Sequence, residues 1–129
     1  MCMISRFDAL NIAEEDITVY KVVKIENEKI FAPVYSSFEY KKGEKYHSED
    51  FNNVSVSSYA LYISHGFHVF KNEIQAVKSA YGLRKMFKEN YTVFVCIIPK
   101  GARYYEGMFS SMGMLCAEDL ILKQESDIQ

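Results

Sequence analysis

The side chains that could do chemistry in this chain are few and scattered. His65 and His68 stand three apart. On a strand that offset sends the two rings to opposite faces, so they chelate one ion only if Gly66 breaks the strand, and no metal is expected. The ring of His68 is expected instead beside Gly66 at a strand entrance, hydrogen-bonded to backbone. Cys2, Cys96 and Cys116 are odd in number and widely spaced, with no Cys-x-x-Cys pair. That pattern offers neither a disulfide framework nor a zinc knuckle. Cys96 lies in the most apolar run and Cys116 near the start of the last one. With no base or helix N-terminus at a readable spacing, both read as small buried hydrophobes rather than nucleophiles.

Binding chemistry is easier to place. His65-Gly66-Phe67-His68 and Pro99-Lys100-Gly101 with Tyr104 or Tyr105 combine backbone bends with aromatic rings and few charges, the composition of an interface centre. The candidate binding residues are therefore His68, Lys100, Tyr104 and Tyr105. Adjacent tyrosines on a strand point opposite ways, so one is expected in the core and only the other available. Tyr104-Tyr105 with Arg103 could stack on bases as single-strand readers do. Lys71, Lys78 and Lys85 recur every seven residues, with Lys88 close by. They are expected as a solvated helix face, with a local anion-binding face as the alternative.

The elements that must position these residues follow from periodicity. Asp16 to Ile25 alternates in a way that predicts a strand covered on both sides, interrupted in its apolar parity by Lys21, which reads as a snorkelling or paired lysine. A turn at Glu26-Asn27-Glu28 and a second strand from Lys29 to Val34 complete a hairpin, with Pro33 arguing for an edge or bulge. Phe38-Glu39-Tyr40 and Lys41 to Tyr46 read as two short extended pieces around Gly43. Ser48 to Ser58 reads as loop. Strand-like runs follow at Tyr59 to Ile63 and Phe67 to Phe70.

A helix over about 73–89 is capped by Asn72, with Ile74, Val77 and Tyr81 as its buried stripe and Gly82 dividing it into two unequal pieces. Tyr91 to Ile98 is apolar on both parities and predicts the core strand of the sheet, with Val95 and Ile97 almost fully buried. Arg103 to Glu106 reads as a short strand, Gly107 to Gly113 as a flexible loop, and Leu115 to Lys123 as one final strand. The fold class is α+β, a mostly antiparallel twisted sheet carrying one main helix.

The 129 residues make one domain, 1–129, with 1–15 and 124–129 peripheral. A formal charge of -2 gives no positive field for nucleic acid or anionic lipid. Aromatic content of 15%, with no Trp, suits pleated sheet better than a helix bundle. No stretch approaches a membrane span or a secretory leader, and the cysteine usage fits a reducing cytoplasm.

Several segments in order carry a resemblance: Val19-Tyr20-Lys21-Val22-Val23, Phe38-x-Tyr40-x-x-Gly43-x-x-Tyr46, Gly66-Phe67-His68-Val69-Phe70 before a helix containing Ala76, Ile97-Ile98-Pro99-Lys100-Gly101-Ala102-x-Tyr104-Tyr105-x-Gly107, and Ala117-x-x-Leu120. Together they resemble a family of small uncharacterised proteins of gut bacteria and their phages. They are more distantly similar to a domain of unknown function found with pentapeptide repeats. Where that pattern has Ser-Pro-Tyr before Phe-x-Tyr, this chain has Ala32-Pro33-Val34 and one extra residue. The resemblance implies a fold and a phage or mobile-element context, and no activity.

A second resemblance is enzymatic. The order Lys21, Ser36-Ser37, Glu118 is similar to the Arg, Ser-Thr-Ser, Glu order of ADP-ribosyltransferases. It implies a dinucleotide site in which a cation holds the dinucleotide, serine braces the pocket and the glutamate stabilises an oxocarbenium-like transition state. Lys stands in place of Arg, the serines come early, and Glu118-Asp119 is not Glu-x-Glu. The preferred expectation is a non-catalytic cytoplasmic interaction or ligand-binding module, with no cofactor, with a protein partner or self-association, and without nucleic acid or membrane.

Overall fold

A computed structural model describes residues 3–33 and 38–128. In chain order its elements are β1 (Met3–Ile12), β2 (Ile17–Glu26), β3 (Lys29–Phe31), β4 (Glu39–Tyr40), β5 (Lys45–His47), β6 (Val54–Val56), β7 (Leu61–Ile63), β8 (Phe67–Phe70), α1 (Glu73–Phe87), β9 (Tyr91–Ile98), β10 (Arg103–Phe109), β11 (Met112–Ala117) and β12 (Asp119–Glu125). The strands join one antiparallel sheet in the order β5-β12-β9-β2-β8-β11-β10-β1-β7-β6, and β3 adds to β2 and carries β4. The architecture is thus sheet-dominated, with a single helix among the described residues.

Alternation along the long strands gives the sheet an apolar layer on each face. Val19 and Val23 of β2, Phe94, Cys96 and Ile98 of β9, and Leu120 and Leu122 of β12 share one face, over which the β3–β4 hairpin lays Ile30 and Tyr40. Val22, Tyr91, Val93, Phe70 and Met114 share the other, beneath Ala76 and Ala80 of α1 and the ring of Phe51. The doubly covered β9 follows from its apolar residues on both parities. Its burial is less complete than expected, because Val95 and Ile97 are only half-buried. They share a face with Tyr91 and Val93, and α1, a 15-residue helix of about 22 Å, covers that face only toward the start of the strand.

The helix differs from its expected form in two ways. It runs unbroken through Gly82, whose exposed position leaves open space around it and makes its cost only the ordinary helix penalty of about 1 kcal/mol. Its buried residues are Ala76 and Ala80, with Ile74 and Tyr81 about half exposed. Small residues bring the helix axis close to the sheet, where the bulkier stripe would hold it off. The Asn72 cap is present, its side chain accepting from the Gln75 N–H.

Four further expectations are corrected. Residues 3–12, read as peripheral, form β1, which pairs with both β10 and β7 and buries Met3 completely. Near the other end β12 continues to Glu125 and Ser126 is buried. The 48–58 loop includes β6, paired with β7. The 107–113 loop is a hairpin instead. Strand β10 continues to Phe109, Ser110 and Ser111 turn at φ 47° and 65°, and β11 returns. Gly107 is required there because a Cβ would run into the Ile4 carbonyl and Ser5 Oγ of β1. The expected final strand is two strands in different parts of the sheet, β11 beside β8 and β12 beside β9, separated at Glu118.

A recess at the open edge of β2

One edge of β2 is fully engaged by β9, from Ile17 opposite Ile98 to Lys24 opposite Tyr91. The other edge is shared. Strand β8 pairs with it only at Tyr20 opposite Phe70, and β3 pairs with it from Lys24 to Glu26. Continuing the β8 register would set Val22 opposite His68, but the strands part before that point. Residues 21–23 therefore face a gap between two neighbours, and a buried gap in a ladder leaves backbone groups without partners.

Lys21 fills part of this gap. Its side chain leaves β2 on the face of Val19 and Val23, and its Nζ donates to the His68 carbonyl at 3.0 Å. The residue is 7% exposed and has no ion pair among the described residues, so the snorkelling or paired lysine expected from sequence is replaced by an amine bonded to backbone inside the protein. Burial lowers its basicity, with Cys96 and Cys116 acting weakly the other way. Nζ also lies 6.0 Å from the centre of the Tyr40 ring, whose hydroxyl burial pushes well above the usual phenol range.

Around this amine is a recess of about 580 Å³. Its inner wall is the buried set Lys21, Val22, Tyr40, Phe67 and Phe70, together with His68. The exposed residues Phe38, Glu49, Asp50, Ser64 and His65 form its mouth. Pro33 and Ala32, just past β3, complete one side. Gly66 shapes the wall: φ is +109°, and an added Cβ would stand 2.7 Å from Cys116 Sγ and 3.1 Å from Phe51. A separate surface groove of about 640 Å³ lies near Lys42, Arg84 and Glu125. Two of its polar groups are already engaged, Arg84 by the Tyr91 carbonyl at 2.8 Å and Glu125 by Thr92 at 2.8 Å.

His68 meets the expectation of a backbone-bonded ring. Its Nε2 donates to the Ile63 carbonyl at 2.9 Å, which in the neutral ring leaves the lone pair on Nδ1. Burial lowers its pKa to about 4 despite that bond, and the nearby Lys21 adds to the shift. Cys116 donates to the His65 carbonyl at 3.1 Å, and burial pushes the thiols of Cys96 and Cys116 up to about 12. Both are thiols at neutral pH, as poor nucleophiles as their sequence context implied.

The remaining candidates lie apart from the recess. Tyr105 is buried against Phe51, with ring centres 5.2 Å apart, while Tyr104 is half-buried against the opposite core. Lys100 is exposed in its turn, its backbone N–H donating to Asp16 Oδ1 at 2.9 Å. Glu118 is gripped by Arg103 through Nε at 3.2 Å and Nη2 at 2.8 Å, which holds its carboxyl below the usual range. It does not line the recess that holds Lys21, and Ser36 and Ser37 lie outside the described residues. The lysines of α1 are exposed, as a solvated face requires.

Two residues considered for separate sites, Lys21 and His68, are thus brought together, joined by Tyr40, whose part sequence reasoning missed. The signal for Lys21 was its polar interruption of a strand that is otherwise apolar on both parities. Nothing local marks Tyr40, since its position depends on the β3–β4 hairpin folding over β2. Among the described residues no helix is long and apolar enough to cross a membrane. Comparison with family models, with curated proteins and with solved structures gives no match.

Proposed function

We propose that the protein is a small ligand-binding module and that the recess beside Lys21 is its binding site. One observation carries the reading. A gap in the β2 ladder is left as a recess whose inner wall is mainly aromatic, with a buried amine, a buried phenol and a neutral imidazole among its inner groups. Concave apolar sites with a few convergent polar groups are where small ligands bind, and about 580 Å³ lies within the usual range for them. The ligand suited to it has an aromatic or aliphatic body for the Phe67, Phe70 and Tyr40 walls. It also has one polar end that accepts a hydrogen bond. On this reading the protein acts in the cytoplasm, where the thiols of Cys96 and Cys116 stay reduced.

The test is fluorescence titration of the folded chain with 8-anilinonaphthalene-1-sulfonate, whose emission rises in apolar surroundings. Saturable enhancement at one site is expected. Ser64→Trp, an exposed change at the mouth, should weaken it by about tenfold through steric closure. Equal enhancement in both proteins, or none in either, would remove the recess as a binding site.

A further inference from the structure

We propose that Lys21 captures carbonyl compounds covalently, its Nζ condensing with an aldehyde that carries an apolar body into the recess. The inference rests on the ligand-binding reading above and names the ligand class. Three structural features point to it. Lys21 Nζ is inside the protein yet lines a recess that opens to solvent. Its bonded partner among the described residues is an acceptor, the His68 carbonyl, which engages one N–H and leaves the nitrogen lone pair unused when the amine is neutral. Among the described residues no carboxylate lies in ion-pair contact to hold it as an ammonium, and the acids of the recess, Glu49 and Asp50, belong to the exposed mouth. Desolvation favours the free amine in such surroundings, and the free amine is the nucleophile.

The condensation balances without any oxidant or reductant. The nitrogen lone pair forms the C–N bond as the carbonyl π pair moves onto oxygen. One proton passes from nitrogen to that oxygen, giving a carbinolamine. The hydroxyl then takes a proton from solvent and leaves as water, the nitrogen keeps its last proton, and the C=N bond closes as a protonated imine. In the protonated imine the remaining N–H stays directed at the His68 carbonyl, and the Tyr40 ring face lies within reach of the positive charge. Phe67 and Phe70 supply the wall for the aldehyde's body. A free carboxylate would meet Lys21 differently, as an ion pair with no bond to reduce.

The experiment is reductive trapping of the full chain with benzaldehyde and sodium cyanoborohydride at neutral pH, read by intact mass and peptide mapping. Lys21 is expected to gain one benzyl group faster than any exposed lysine, since lowered basicity raises its free-amine fraction at neutral pH. Excess benzoate should slow this trapping by occupying the recess without forming an adduct. Lys21→Met should lose the rapid adduct. Mapping on the unaltered chain decides the matter even if that variant folds poorly. Adducts spread over exposed lysines with Lys21 unmodified would overturn the inference. If the dye still binds, the ligand-binding reading survives that result. If the dye does not bind, both fail.

Discussion

Titration of His68 should make the fold acid-sensitive beginning above the range where an ordinary carboxylate titrates. In the native state the ring is largely buried, donates to the Ile63 carbonyl and sits near Lys21, and its pKa falls from 6.5 to about 4. The unfolded chain therefore binds the proton first as pH drops, so stability is fully present above 6.5 and is lost as pH falls toward 4. Full protonation would remove about 3 kcal/mol, of which about 2 kcal/mol disappears between pH 7 and pH 5. The pull of Arg103 on Glu118 adds a loss of the same sign, but only from the usual carboxylate range downward. Urea denaturation of the parent and of His68→Gln, whose amide can still donate to Ile63, measured from pH 8 to pH 5, isolates the ring. Any slope from Lys21 is common to both proteins and cancels. The parent should lose about 2 kcal/mol more than the variant across that range. Parallel curves would refute the account of a buried neutral histidine.

Three further outcomes test the packing and the gap. Val93→Ala should cost about 2–3 kcal/mol and Val95→Ala under about 1 kcal/mol, since only Val93 is beneath the helix; equal denaturation midpoints would contradict the coverage of β9. Asn27 and Glu28 turn the β2–β3 hairpin at φ 53° and 64°, so Glu28→Gly should raise stability by about 0.5–1 kcal/mol, and a lower thermal midpoint would count against the turn geometry. Because burial lowers the basicity of Lys21, the unfolded chain holds its proton at higher pH than the native one does. Stability of the parent relative to Lys21→Met should therefore climb by up to about 1.4 kcal/mol per pH unit, up to pH 10.5, and a difference that does not vary between pH 7 and pH 10 would mean the amine is charged in the fold.

How far the sequence carried can be traced to particular residues. The two longest apolar alternations, 17–26 and 91–98, announced β2 and β9 because a doubly covered strand leaves its mark in its own residues. The β10–β11 hairpin stayed hidden. Its turn is Ser110-Ser111 rather than a glycine pair, and the nearby Gly107 serves a close approach of β1 that no local pattern reveals. The helix was placed by its cap and charge, yet its buried face was misread because bulk suggested Ile74 and Tyr81 where the sheet accepts only the alanines. For the recess, the polar break at Lys21 was visible, but the carbonyl it serves lies 47 residues away. Only pairing of the strands could supply that link.

The recess itself follows from how the edge of β2 is divided. A strand of ten residues offers one edge to β9 and must share the other between β8 and the hairpin strand β3. Turn geometry ties β3 to the end of β2, because Asn27 and Glu28 leave room only for the pairing that sets Lys24 opposite Phe31. Strand β8 is held elsewhere, by four consecutive pairs with β11, so it can reach β2 only at Tyr20. Among the described residues, those between have no strand to meet. An apolar side chain at position 21 would fill the space but leave the His68 carbonyl unpaired, at about 1–3 kcal/mol. Serine or threonine would satisfy a neighbouring group yet be too short to span the parted strands. A lysine reaches across the gap and donates, and its four-carbon stem lies against the core formed by Val19 and Val23. The amine that completes the backbone pairing is therefore the same one left facing the recess. Geometry that closes the sheet and geometry that exposes a nucleophile to a small ligand are one arrangement.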